Sequence, residues 1–419
     1  MQNGALNGLK VLDFTHYLAG PYCTKLLADY GADVIKVEPP GGDGARRIGP
    51  FPGDVADPEK SGLFLHLNTN KRGIVIDLKE LKAADIVAHL AGWADIVVES
   101  FRPGVANRLG ISFEELSLAN PEIIYTSISN FGQTGPYRDY RGSEIVFYGM
   151  GGEMHSTGLA DREPLKLGGN VGLYQAGAVA AVATMGAALA GMFDVGNQDG
   201  ELLGHHIDVS ILETQLGSVD RRQSTLLAHQ YTGKLSHRPV SGGSGGFPNA
   251  VYPCSDGYLQ INGSRMYFPR AVAMLGNPQE LTSERWRDPA SQGNSSMQEE
   301  FESEHFLPWT LERTRAEAWQ TAQENRVLSG PINTMADVDA DPSFNSRGVF
   351  TEGDHSVAGN IRYPGRPFIM NGSPWELRMT APLFGQHTAE ILRDMGYSDR
   401  AIEELASSGT VVLGATEAG

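Results

Sequence analysis

The first 130 residues alternate short apolar runs with helical stretches, and this alternation constrains the chain more than any other feature. Leu9 to Phe14 (LKVLDF) reads as a strand. Gly20-Pro21 then opens a helix through Leu26, Leu27 and Tyr30, Gly31 stops it, and Ala32 to Val37 (ADVIKV) is the next strand. Proline suits a helix start because the N–H it lacks has no use there. A strand–helix–strand unit of this length fits a right-handed parallel crossover. Gly73 to Leu78, Ala94 to Phe101 and Glu122 to Ile128 continue as strands, with Lys79 to Leu90 helical between the first two. Their β-branched runs predict strands covered on both faces. The expected fold class is α/β, a Rossmann-like, doubly wound parallel sheet.

The later text changes character. A Gly/Ala helix near 173–193 is followed by a strand, His206 to Val209, and a long helix near Leu212 to His229. Ser241 to Gly246 (SGGSGG) then punctuates the chain, and Val251 to Asn262 reads as a hairpin turning at Ser255-Asp256-Gly257. Residues 265–327 are polar and helical, Pro331 to Val338 reads as strand then helix start, and Thr388 to Met395 and Asp399 to Ala406 are short helices. With 419 residues, at roughly 100–200 per domain, two or three domains are expected. The expectation is a large domain over 1–200 plus 345–419 and a smaller α+β domain over 225–330. The Gly172 to Phe193 segment predicts a buried, tightly packed helix rather than a membrane span, since Gly and Ala offer little apolar area to lipid.

Fifty acidic against 33 basic residues give a net charge of −17, which argues against nucleic acid as a general partner but leaves room for a local basic pocket. Cys23 and Cys254 are the two cysteines, too few for a disulfide scaffold or a four-thiolate metal site, and fit a reducing, cytoplasmic setting. The start of the chain does not read as a signal peptide. The 11 histidines form no metal-ligand spacing. No P-loop, nucleophile elbow or G-x-G-x-x-G turn occurs, so no metal and no nicotinamide are expected.

Several motifs fall at predicted strand ends. His16 to Pro21 follows the first strand, where a helix N-terminus makes a natural anion site; an ordinary capped turn is the bland alternative. Asn68 to Arg72, then Lys79, could hold phosphate or be solvated charges. Ser100 to Gly104, then Arg108, would suit stacking on a purine and pairing with phosphate. Phe131 to Pro136 is a Gly/Pro loop that leads to Arg141 and Glu144; Glu144 is either a helix N-terminal carboxylate or an active-site acid. Asn170 reads as a helix N-cap, and SGGSGG as a linker or a mobile lid. On the doubly wound topology the first three of these share one sheet edge.

The chain resembles the class III CoA-transferases, of CaiB/BaiF and formyl-CoA transferase type, nearly end to end. The resemblance rests on LKVLDF (9–14), AGP (19–21), LADYGADVIKVEP (27–39), NKR (70–72), ADIVVESFRPG (94–104), RLG (108–110), GQTGP (132–136), GQHT (385–388) and MGYS (395–398). It implies a Rossmann-like large domain, a smaller inserted domain and an interlocked dimer. It also implies CoA or an acyl-CoA as substrate, exchanged onto a carboxylate, with contacts at Leu18, Ala19, Ile76, Lys79, Ser100, Phe101, Arg108 and Arg141. The family nucleophile is an aspartate, and the resemblance puts Asn170 at its position. Glu144 matches an active-site glutamate, and Gly242, Gly243, Gly245 and Gly246 match a glycine loop that covers the acyl intermediate. A neutral carboxamide cannot run the anhydride chemistry. The resemblance therefore implies a non-catalytic subunit beside a homologous catalytic one, as in succinyl-CoA:benzylsuccinate-type transferases. An active homodimer using Glu144, an Asp-to-Asn variant and an acyl-CoA-binding module without chemistry are the alternatives.

Overall fold

A computed structural model of the chain describes residues 4–192, 204–217, 220–235, 237–238 and 246–414. Its centre is a sheet of six parallel strands: β1 (Lys10–Phe14), β2 (Asp33–Glu38), β3 (Lys71–Ile76), β4 (Ile96–Glu99), β5 (Ile124–Ser129) and β6 (His205–Ser210). Their order is β3-β2-β1-β4-β5-β6, and a two-residue strand, Val411–Val412, adds antiparallel to β3. Successive side chains point to opposite faces. Val11, Val34, Ile96, Val98 and Ile128 pack on one side, with the Ala19–Asp29 and Val171–Met192 helices. Leu12, Ile35, Ile74, Val97 and Tyr125 pack on the other, with the Ala83–Trp93, Thr388–Asp394 and Asp399–Ser407 helices.

The Val171–Met192 helix is long and apolar enough to cross a membrane by length and composition. Within the chain, however, it lies against the Ala19–Asp29 helix so closely that a Cβ on Gly177 would sit 2.4 Å from the Ala19 carbonyl oxygen. Ala176, Ala180 and Thr184 are fully buried there, and the Thr184 hydroxyl bonds that of Thr126 at 2.8 Å.

By contact clustering the chain has two compact units: Met1–Met154, Lys166–Leu235 and Ser346–Gly419 form one, His155–Leu165 and Ser236–Asn345 the other. The second contains a three-stranded antiparallel sheet (Asn249–Cys254, Gly257–Asn262, Leu328–Pro331) over an aromatic core of Phe247, Phe268, Trp286, Phe301 and Phe306.

One expectation needs correction, and one element was not foreseen. The helix expected from Lys79 begins at Ala83, because 79–82 form a turn that leaves Leu81 exposed. The helix expected over Leu212 to His229 is helical over Ile211–Gly217 and Asp220–Thr232, with 218 and 219 outside the described residues. A hairpin, Phe350–His355 with Gly359–Pro364, was not expected, since its polar text carries few strand-forming residues.

The sheet also buries charge. Lys71 Nζ lies 3.1 Å from Asp13 Oδ2 and donates to Pro21 O, Thr24 Oγ1 and Asn68 Oδ1. Lys36 Nζ lies 2.8 Å from Asp43 Oδ2 and donates to Thr15 O. All four charged residues are inaccessible to solvent. Burial alone would raise the Asp13 carboxyl, but Lys71, Lys36 and the Thr15 and Thr24 hydroxyls hold it below the usual carboxylate range. Burial pushes the Lys71 ammonium down to about 8, with Asp13 offsetting only part of the cost, so both partners are charged at neutral pH. Removing one member of such a pair strands the other, at about 3–5 kcal/mol. Lys71→Met should therefore lower the urea unfolding free energy by about that much, against about 1 kcal/mol or less for Arg72→Ala on the more open pairs with Asp33, Glu390 and Asp394. Equal losses would contradict this account.

Candidate functional site

The strand order reverses between β1 and β4. Connections leave these two strands in opposite directions, and a crevice opens at their carboxyl ends. A cavity of about 540 Å³ occupies it. His16, Tyr17, Ala19 and Gly20 enter from the turn after β1, Ser100 to Pro103 from the turn after β4, and Ile128 to Asn130 from the end of β5.

Hydrogen bonds fix these turns. The His16 N–H donates to Ser100 Oγ at 2.9 Å, joining the two strand ends across the reversal. Tyr17 takes a left-handed φ of +72°, uncommon for a residue with a Cβ, and donates its N–H to Asp43 Oδ1 at 3.0 Å. The other Asp43 oxygen holds Lys36, so the turn is anchored in the buried charge network. Burial and the nearby Lys36 ammonium push His16 below its ordinary value, which makes the ring neutral at pH 7, and it packs edge-on to Phe101 at 5.5 Å. The Phe101 N–H donates to Glu99 Oε2 at 2.6 Å. Burial raises the Glu99 carboxyl to about 7, against hydrogen bonds from Ser127 and the Phe101 N–H.

Glu144 heads the Glu144–Met150 helix, yet its carboxylate serves another. It accepts the N–H groups of Gly172 at 2.8 Å and Leu173 at 3.0 Å, donors of the first turn of Val171–Met192. The carboxylate thus caps a 22-residue helix at its positive end. Asn170 stands at the cap position, its carbonyl accepting from Leu173 and Tyr174. Its carboxamide does not cap; Nδ2 lies 3.5 Å from the Tyr17 hydroxyl. The first turn of this helix carries no acidic residue.

Of the residues singled out from sequence, Ala19, Ser100, Phe101, Glu144 and Asn170 meet at this cavity. Leu18 is buried in the core beside it. Ile76 is buried at the end of β3, with Lys79 exposed just beyond, and neither lines the cavity. Arg108 is exposed outside it, and Arg141 is exposed between the lining residues Tyr140 and Gly142. Gly242, Gly243 and Gly245 lie outside the described residues. Gly246 belongs to the smaller unit, at φ +86° against Gln292 and Ser264. The basic pair Lys71-Arg72 is corrected: Lys71 is spent on Asp13, and Arg72 on Asp33, Glu390 and Asp394, so neither is free for phosphate.

Arg138 and Lys166 line the cavity and were not singled out from the sequence; only the neighbouring Arg141 had drawn attention in GPYRDYRG. Among the described residues, with Arg102 they give the walls three cations against one carboxylate, Glu144, in a chain of net charge −17. A larger cavity, about 860 Å³, lies in the smaller unit among Phe268, Val272, Leu281 and Trp286. None of the residues singled out reaches it. Among the described residues no cluster of His, Cys, Asp and Glu could hold a metal ion.

Fold and site define an α/β protein with a cationic crevice at the reversal of its strand order. The family model for CoA-transferase family III matches residues 6–388, and the chain belongs to that family. It is 33% identical to a formyl-CoA:oxalate CoA-transferase of Rhodopseudomonas palustris, covering 97% of each chain. It is 33% identical to a succinate–glutarate CoA-transferase of Agrobacterium fabrum, over 94% of this chain and 96% of that one. With the BbsE subunit of succinyl-CoA:(R)-benzylsuccinate CoA-transferase from Thauera aromatica it shares 31% identity over 96% of this chain and 97% of that one. A crystal structure of a CAIB/BAIF family protein from Brucella suis matches with a TM-score of 0.80 at 30% identity, over 94% of this chain and all of that one.

Glu99 yields a pH prediction. Its folded value, about 7, lies above the ordinary 4.5, so the folded state holds a proton that the unfolded chain has lost. Stability therefore falls as pH rises from about 4.5 to 7. Glu99→Gln keeps an acceptor for the Phe101 N–H and removes the titration. Its melting temperature should gain on the wild type's from pH 5 to pH 8. A constant difference would contradict the burial argument.

Proposed function

We propose that this chain binds a CoA thioester in the switch-point cavity and serves as the nucleophile-lacking subunit of a class III CoA-transferase, beside a homologous chain that carries the aspartate. One observation carries the reading. The first turn of the Val171–Met192 helix has no acid, and among the described residues the one carboxylate facing it, Glu144, is committed through both oxygens to capping that helix.

The family chemistry needs a free carboxylate. It attacks the thioester carbonyl, the C–S bond breaks, and an acyl–carboxyl anhydride forms with CoA thiolate leaving. The thiolate then attacks the enzyme carboxyl carbon, releasing the first acid and leaving an enzyme–CoA thioester for the incoming carboxylate. Asn170 offers a neutral carboxamide, and Glu144 would have to give up two backbone donors at a helix N-terminus to attack. The cations of the cavity suit the phosphates of CoA, with Ala19, Ser100 and Phe101 at the strand ends as contacts; Leu18, Ile76, Lys79, Arg108 and Arg141 keep that assignment on the resemblance.

The subunit designation of the Thauera relative supports pairing with a second chain. So do exposed apolar side chains along three helices of the larger unit: Ile145 and Met150, Val182 and Leu189, and Leu226, Leu227 and Tyr231. Such surface marks an interaction site. The pairing proposed is the interlocked dimer of the family, with a homologous subunit as partner.

The purified chain should show only background CoA exchange between an acyl-CoA and a carboxylate, and adding the aspartate-bearing homologue should restore it. Asn170→Asp should give measurable exchange by the chain alone. Robust exchange by the wild-type chain alone would overturn the proposal.

A further inference from the structure

We propose that the smaller unit holds a second ligand site, which takes a free carboxylic acid with an uncharged, apolar body. The site is the cavity of about 860 Å³ in that unit. The inference goes beyond the CoA reading and does not rest on it.

The floor of this cavity is apolar. Phe268, Val272, Leu281 and Trp286 line it and belong to the unit's buried core. The Phe268 and Trp286 rings stack, with centroids 6.1 Å apart and planes at 23°. Small-molecule sites span about 300–1,000 Å³ and combine mostly apolar walls with a few placed polar groups. Here those groups are cationic. Arg265 and Arg287 line the cavity and are exposed. Among the described residues no carboxylate pairs with Arg287. Asp288 is the acid of the lining, and its Oδ1 accepts the Ala290 N–H at 2.9 Å.

Gln292 ties the rim together. Arg265 takes a left-handed φ of +51°, uncommon for a residue with a Cβ. Gln292 Oε1 holds it there, accepting the N–H groups of Arg265 at 2.9 Å and Phe247 at 3.2 Å. Gln292 also lines the cavity and is 8% exposed. Its Nε2, with two protons to donate, has no hydrogen-bond partner among the described residues. A buried donor left unmade is costly, and an acceptor on a ligand would relieve it. Amide and guanidinium groups call for an anionic acceptor, the floor for an apolar body. A cationic ligand would meet two arginines. A second charge on the body would be buried among rings without a partner.

Calorimetric titration of the full chain with octanoate, 1-octanol and octylamine compares three head groups on one alkyl body. Octanoate should bind at one site, about tenfold tighter than octanol, in line with one charge-assisted hydrogen bond, and octylamine weakest. Arg287→Met, on an exposed side chain, should remove most of that preference and leave octanol affinity unchanged. Octanoate should slow hydrogen–deuterium exchange over 265–293 and leave 166–173 unchanged. Equal affinities for octanoate and octanol, or no saturable octanoate binding, would overturn the proposal whether or not the variant folds. Protection at 166–173 in place of 265–293 would put the acid in the switch-point cavity and overturn it as well. Each outcome reads the same whether or not the chain binds CoA, so the two assignments fail separately.

Discussion

The salt bridge between Lys36 and Asp43 is the constraint on which the site depends. Both residues are fully buried, and neither could be buried alone without a cost of several kcal/mol. Asp43 uses one oxygen on Lys36 and the other on the N–H groups of Tyr17 and Ala45. It therefore ties the end of β2 to the turn after β1 and holds Tyr17 in a left-handed conformation. The next link is the His16 N–H on Ser100 Oγ, which carries the constraint across to β4. The floor of the cavity is thus set by charges outside it. Breaking them would loosen the site before touching any residue that meets ligand.

The far wall follows a different rule. A 22-residue helix begins there with unsatisfied N–H groups and a positive end, and it attracts whatever anion is near. In this chain that anion is Glu144, from a neighbouring helix, held through two backbone donors. Such a carboxylate is well placed to organise the pocket and badly placed to attack a thioester. The same end carries Lys166, held by the carbonyl oxygens of Leu167 and Gly169 and paired with Glu144. Cation, cap and carboxamide stand together there, and among the described residues the cavity's carboxylate, Glu144, is held by the helix start.

Much of the fold was legible because its signals are local. The apolar run of β1, the β-branched runs of β2, β4 and β5 and the Gly-Pro helix start carry their own reading, and parallel order follows from the crossovers between them. The meeting of Ser100, Phe101, Glu144 and Asn170 at one cavity was partly legible, since residues at strand ends share an edge once the order is known. What the sequence hid was pairing. Lys71 and Arg72 read as a phosphate-binding pair, because nothing local says that Asp13 lies beside one and Asp33, Glu390 and Asp394 beside the other. Glu144 read either as a carboxylate at its own helix start or as an active-site acid, whereas its partners, Gly172 and Leu173, lie 28 and 29 residues on. Lys166 stood out in no motif and gains meaning only from the cavity it lines.

Hydrogen–deuterium exchange of the full chain with and without CoA tests the central claim most directly. Binding at the strand-order reversal should slow exchange in four segments far apart in sequence, 16–20, 100–104, 138–144 and 166–173, and leave 265–293 of the smaller unit unchanged. Protection confined to 265–293, around the larger apolar cavity, would contradict the account and move the ligand to the other unit.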